Sequence, residues 1–288
     1  MRLLLASVLI PFSLLICGAA AELRGPAQVT AGNPVSLASA GTGSGNGTFY
    51  LTGPGQASKR TVTLGDEIQV HGDEVEHAGR YTAVVCDGRK CAATHFFVRA
   101  AEPAKVSLLV HPSRVRVAQP NAISAVAFVF DKFRNLVLSP AQVDFKASPK
   151  QGPAVSQTRP TQNGVTWIRL TSATKEGPAK IGASLGKASE LRVVQQVASE
   201  ACNLRIKPEW NAGKFFVETE PVRDCNGNAV SDGTVVSFTK VDASGKTTVD
   251  APIKRGVARV EMPIKGSAKI LVASGVVTGN ELSVEGRQ

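Results

Sequence analysis

Asp131-Lys132-Phe133-Arg134-Asn135-Leu136-Val137 returns 93 residues later as Asp224-Cys225-Asn226-Gly227-Asn228-Ala229-Val230. Each copy leads into an alternating stretch, with Val143 and Phe145 answered by Val236 and Phe238. Period-two alternation marks a strand with one buried face. The match continues in the same order. Gly164-Val165 pairs with Gly256-Val257, Gly177-x-Ala179-Lys180-Ile181 with Gly266-x-Ala268-Lys269-Ile270, and Glu190-Leu191-x-Val193 with Glu281-Leu282-x-Val284. The offset stays between 89 and 93, as expected when loop lengths vary around a fixed strand order. Two similar modules therefore stand in tandem.

Outside the repeat, strand-length segments dominate and helical periodicity is hard to find. They include Val106–Val110, Ile123–Phe130, Val165–Leu170, Lys180–Leu185, Leu191–Val194, Phe215–Glu218, Val235–Phe238, Val257–Met262 and Lys269–Ala273, with turns rich in Gly, Pro, Asn and Ser between them. Residues 122–130 are apolar on both faces, which predicts a strand central in its sheet. The first 100 residues form a more distant unit, in which a Gly/Ser/Asn tract between Ala38 and Thr48 reads as a loop. Tyr81 fits a tyrosine corner there, its ring in the core and its hydroxyl bonded to an upstream loop. Trp210, before Asn211-Ala212-Gly213, reads as a loop residue closing the lower edge of the last module. The expected fold is all-β, a series of tandem sandwiches. The expected boundaries are a signal peptide at 1–21 and domains at 22–101, 102–198 and 199–288, with short linkers that favour a semi-rigid series.

Arg2, the apolar run Leu3–Ile16 and Ala19-Ala20-Ala21 read as an export signal cleaved after Ala21. Cys17 is preceded by Ile16, where a lipidation site would want a small residue. No later apolar run is long enough for a transmembrane segment. The four cysteines beyond the leader then belong in an oxidising compartment. Cys86 and Cys91 flank the turn sequence Asp87-Gly88-Arg89-Lys90 and predict a stapled hairpin, leaving Cys202 and Cys225 as the second pair. A redox dithiol would need two intervening residues, and a zinc site would have to join cysteines of separate modules.

Formal charge is +10, unevenly placed. Residues 101–199 carry thirteen basic and five acidic side chains, whereas 24–99 carry seven and six, and 200–288 twelve and eleven. The surplus either solvates the outer faces of the middle module or gives it a weak attraction to polyanions.

Nothing in the chain announces catalysis. His71, His77, His95 and His111 are scattered, and the first two match no helix-borne metal spacing. No nucleophile elbow or phosphate-binding loop occurs, and no helix pattern follows the glycine-rich tract at 41–47 to supply an anion site. Asp224, Asn226 and Asn228 alternate as calcium ligands can, but no distal bidentate glutamate follows and Phe133 replaces Asn226 in the other copy. Turn formation is the better reading. No cofactor, metal or catalytic residue is therefore assigned. Trp167 and Arg169 share one face of Val165–Leu170, either as an aromatic and a cation contacting a partner or as a cap on the core.

The stretch Asp224–Val230, followed by Asp232-Gly233-Thr234-Val235-Val236-Ser237-Phe238, resembles bacterial immunoglobulin-like domains of the invasin/intimin type, in which Asp-x-x-Gly-Asn-x-Val links two strands. The resemblance covers about residues 104–288. Cys225 replaces the family's small residue, as a disulfide would explain. Arg134 replaces its glycine in the other copy, which predicts a locally different turn. The resemblance implies immunoglobulin-like sandwiches serving as spacers or adhesive tips on secreted or surface proteins. The first reading is thus a non-enzymatic protein acting in adhesion or extracellular binding of an unknown protein or glycan, secreted, periplasmic or cell-surface associated. The alternative is a structural or assembly component of the bacterial envelope.

Overall fold

The computed structural model describes residues 22–40, 45–88 and 90–286. The expected leader with Cys17, and residues 41–44 of the glycine-rich tract, lie outside the described residues; the rest of that tract, expected as a loop, is strand, with Ser39 and Ala40 ending one strand and Gly45–Gly47 beginning the next. The chain falls into two compact units. The first reaches Ala101 and includes Phe133–Asn135; the second comprises Glu102–Lys132 and everything from Leu136.

The first unit holds β1 (Glu22–Arg24), β2 (Gln28–Thr30), β3 (Val35–Ala40), β4 (Gly45–Gly53), β5 (Gln56–Leu64), β6 (Glu67–Val70), β7 (Gly79–Cys86) and β8 (Cys91–Arg99). They form two sheets, ordered β1-β3-β6 and β2-β8-β7-β4-β5. A 3-10 turn, Gly72–Val75, lies between β6 and β7. Alternation in β3, β4 and β7 sends Leu37, Phe49, Leu51, Tyr81, Ala83 and Val85 into one core. Cys86 and Cys91 face each other in the β7–β8 register and are disulfide-bonded.

Tyr81 is fully buried and its ring stacks on Phe96 at 5.5 Å between centroids. Gly53 is needed beneath it, because a Cβ there would lie 2.2 Å from the ring. The hydroxyl faces the backbone at His77 but meets no partner at hydrogen-bonding geometry, so the bonded corner expected from sequence is not completed. Burial holds its pKa above the ordinary tyrosine value. Tyr81→Phe should therefore leave the stability of this unit unchanged within about 0.5 kcal/mol, or raise it, because no made bond is lost. A loss above about 1 kcal/mol in a denaturant melt would show that the hydroxyl is bonded after all.

The second unit begins with a sandwich of β9 (Lys105–His111), β10 (Arg114–Arg116), β11 (Ile123–Phe130), β12 (Gln142–Pro149), β13 (Val155–Pro160), β14 (Val165–Leu170), β15 (Gly177–Leu185) and β16 (Ala188–Val197). Its sheets are β14-β11-β9 and β10-β16-β15-β12-β13. The doubly apolar β11 is the central strand of its sheet. Ile123, Ala125, Ala127 and Val129 point into the core, while Ser124, Val126, Phe128 and Phe130 are half-buried on the other face.

A further sandwich follows, made of β17 (Ala201–Asn203), β18 (Ile206–Asn211), β19 (Lys214–Thr219), β20 (Arg223–Asp224), β21 (Val235–Asp242), β22 (Gly245–Pro252), β23 (Arg259–Glu261), β24 (Ser267–Ser274), β25 (Val277–Thr278) and β26 (Leu282–Glu285). The sheets are β17-β20, β18-β19-β23 and β22-β21-β24-β25, with β26 paired to β24. Phe215, Val217, Val236, Phe238, Ile270 and Val272 form its core. Cys202 and Cys225 are disulfide-bonded beside the β17–β20 pair.

Two more expectations are corrected. Trp210 is not a loop residue: it lies in β18, opposite Phe215, and packs edge-to-face on that ring at 5.0 Å. At Arg134 the backbone also keeps the conformation of its glycine counterpart. Arg134 holds φ at 71° and Gly227 at 79°, so the non-glycine residue accepts the left-handed conformation that the motif requires.

Candidate functional site

The β14-β11-β9 sheet of the second sandwich carries the most distinctive exposed face. Register sets its rows. Val126 on β11 lies opposite Leu109 on one side and Trp167 on the other. Ser124 lies between His111 and Arg169, and Phe128 between Ser107 and Val165. Along each strand these residues alternate with core residues Leu108, Ala125, Ala127 and Ile168, so they point away from the sandwich interior. Leu109 is 58% exposed and Trp167 60%, with half-buried Val126 between them.

A large indole and a leucine on the outside of a three-stranded sheet form an apolar row that water must cover when it is free. Arg169 and His111, both exposed, close the row at one end, and exposed Lys105 sits opposite Phe130 beyond Phe128 at the other. Cross-strand neighbours stand about 5 Å apart, so the row reaches across roughly 10 Å. That is room for a sugar ring or two, or for a side chain with its flanking peptide. The aromatic face supplies the apolar contact and the guanidinium a forked donor for carboxylate, sulfate or hydroxyl oxygens. A cleft of about 560 Å³ opens on the flank of the same sandwich beside β14, lined by Arg169, Leu170, Pro153, Gln157, Thr171 and Ile181. Arg169 thus borders both surfaces.

Trp167 and Arg169, singled out from sequence, fall on the same outward face of β14, two residues apart. Sequence reasoning missed Leu109, His111, Val126 and Phe128. The doubly apolar β11 signalled an apolar outer face. Which residues of β9 and β14 flank it depends on a register that no local pattern reveals.

Among the described residues, no group of three or more His, Cys, Asp or Glu side chains is placed to hold a metal ion. In the motif Asp224–Asn228 the Asp224 carboxylate is occupied by N–H donors from Ser199, Asn226 and Asn228. No helix among the described residues is long and apolar enough to cross a membrane.

No protein-family model matches the chain, and no characterised protein matches it by sequence. Comparison by structure does find similar folds. A solved structure of FdeC, an adhesin of Escherichia coli, superposes with a TM-score of 0.57 at 13% identity, covering 92% of this chain and 96% of that one. Invasin, described as a bacterial integrin-binding protein, gives 0.47 at 12% identity over 91% of this chain and 59% of that one. Domains A168–A170 of titin give 0.41 at 11% identity, covering 94% of this chain and 100% of theirs. The likeness to the FdeC structure is one of fold: the chain consists of tandem immunoglobulin-like β-sandwiches.

Proposed function

We propose that this chain is an exported, non-enzymatic protein of three immunoglobulin-like domains, at 22–101, 102–198 and 199–288, the last two of the invasin/intimin type. It acts in adhesion or extracellular binding, from a secreted, periplasmic or cell-surface position. The observation that carries this reading is the exposed row Leu109–Val126–Trp167 with Arg169 beside it, on a fold shared with a bacterial adhesin. Its partner is a protein or glycan that lays an apolar face on Trp167 and offers an acceptor to Arg169. The basic surplus of the second sandwich adds a weak, salt-screened attraction to polyanions.

The test is retention of the full chain and its variants on arrayed host and bacterial glycans and on envelope extracts. Trp167→Ala should lower specific retention about tenfold or more, as expected for a central aromatic anchor, and Leu109→Ala should lower it less. Residual retention on a heparin-like surface should disappear between about 0.05 and 0.5 M salt. Specific retention unchanged in Trp167→Ala would remove this face from the reading.

A structural or assembly role in the envelope is the second reading. It is favoured by a network of hydrogen bonds that joins the second sandwich to the third.

A further inference from the structure

The turn of the second motif copy is closed by its own atoms. Asp224 N–H donates to the Asn228 carbonyl and Gly227 N–H to the Asp224 carbonyl, both at 2.9 Å. The Asp224 carboxylate accepts the backbone N–H groups of Asn226 and Asn228, also at 2.9 Å. The Asn228 carboxamide does more than this turn requires. It is buried and reaches into the second sandwich, where Nδ2 donates to the Thr174 carbonyl at 2.9 Å and Oδ1 accepts the Glu176 N–H at 3.1 Å. Lys175, between those residues, returns the contact by donating from Nζ to the Asn226 carbonyl at 2.5 Å. On the linker side, Asp224 Oδ2 accepts the Ser199 N–H at 2.9 Å, and the Ser199 hydroxyl donates to the Val117 carbonyl at 3.1 Å.

The other copy of the motif makes the same pair of bonds. Asn135, in the segment that belongs to the first compact unit, accepts the Ala78 N–H on Oδ1 at 2.8 Å and donates from Nδ2 to the Glu76 carbonyl at 2.7 Å. In both cases the carboxamide bridges a carbonyl and the N–H two residues later. In both, the next residue is a glycine at positive φ that opens a strand: Gly79 at 146° and Gly177 at 131°. An amide side chain, with a donor and an acceptor on separate atoms side by side, is complementary to such a pair of backbone groups, whereas an ionised carboxylate can only accept. The recurrence of one side chain on one backbone pattern separates this contact from a by-product of the turn.

We propose that Asn228 is the latch that fixes the third sandwich on the second, with the Thr174–Glu176 segment as its keeper and Lys175 and Ser199 as supports. The short linker then acts as a set joint, and Asn228 serves docking as well as turn formation.

The experiment uses the full chain with spin labels on exposed positions of the two sandwiches, introduced by Lys187→Cys and Lys246→Cys, and reads distances by pulsed electron resonance. The parent should give one narrow distribution. Asn228→Ala and Glu176→Pro, the latter removing the N–H that the latch accepts, should each widen it about twofold or more, as a released hinge does. Exchange of the Glu176 amide in Asn228→Ala should also accelerate about fivefold or more, since its partner is gone. An unchanged width in both variants, or an unchanged Glu176 exchange rate, would overturn the proposal. If Asn228→Ala fails to fold its own sandwich, Glu176→Pro still decides, because it leaves every bond within the third sandwich in place.

Discussion

Replacing Asp224 with alanine is expected to cost the third sandwich about 3 kcal/mol, because its carboxylate serves several buried donors at once. The backbone N–H groups of Ser199, Asn226 and Asn228 all end on it, as does the Asn228 side chain. Burial alone would raise the pKa of this carboxyl. The Asn228 amide and the three backbone donors outweigh that and hold it below the ordinary aspartate value. The sign of the pH dependence follows. The folded state binds the proton less readily than the unfolded chain, so this stabilisation is present above the unfolded aspartate pKa of about 3.9 and is lost as pH falls through the lower folded value. Denaturant melts against pH should show the parent losing stability in that acid range and Asp224→Ala losing less of it. Parallel acid limbs would mean that the carboxylate is not the hub described.

Phe238→Ala is expected to cost about 3–5 kcal/mol, and Phe145→Ala about the same in the second sandwich. Both rings are essentially inaccessible, at 0% and 1% exposure, and both occupy the repeat's second inward position after the motif. Each sits on a strand paired on both sides, β21 between β22 and β24, and β12 between β13 and β15, so neither site can collapse easily around the void. For a domain of this size the melting temperature should fall on the order of 15–30 °C. Calorimetry of the full chain measures both variants. A cost below about 1.5 kcal/mol for either would mean that the repeat does not place equivalent core residues.

Much of the fold was legible because its central strands alternate or are doubly apolar. Ile123–Phe130 and Val165–Leu170 are strands with the same ends that their sequence suggests. Two other strands carried no such signal. Val155–Pro160 is exposed along its whole length, and Gly245–Pro252 buries only Ala251. They are strands because β12 and β21 offer unpaired edges, a tertiary cause that leaves no mark on local composition. Trp210 was misplaced for a related reason: the Asn-Ala-Gly turn after it is the tip of the β18–β19 hairpin, and the tryptophan stands on the strand that leads in. Of the candidate site, the β14 face could be read and its neighbours could not. The wider reach of Asn135 and Asn228 was hidden because a turn was a sufficient explanation for both.

The pairing at the start of two sandwiches bears on what happens under load. In the first, β2 runs parallel to the final strand β8, extended by bonds from Phe97 N–H to the Ala27 carbonyl and from Ala31 N–H to the Arg99 carbonyl. In the second, β10 runs parallel to β16, extended by bonds from Gln195 N–H to the Ser113 carbonyl and from Val117 N–H to the Val197 carbonyl. Tension between the two ends of such a sandwich first peels its leading strand, β1 or β9. It then pulls the parallel pair in opposite directions along its own axis. The rungs of that ladder are strained together in shear instead of being opened one at a time, and rupture becomes a single high-barrier event governed by the rate of unfolding. Among the described residues the third sandwich has no parallel pair. Under steady pulling of the full chain it is therefore expected to yield first, ahead of the two preceding sandwiches, an order that single-molecule force spectroscopy reads directly.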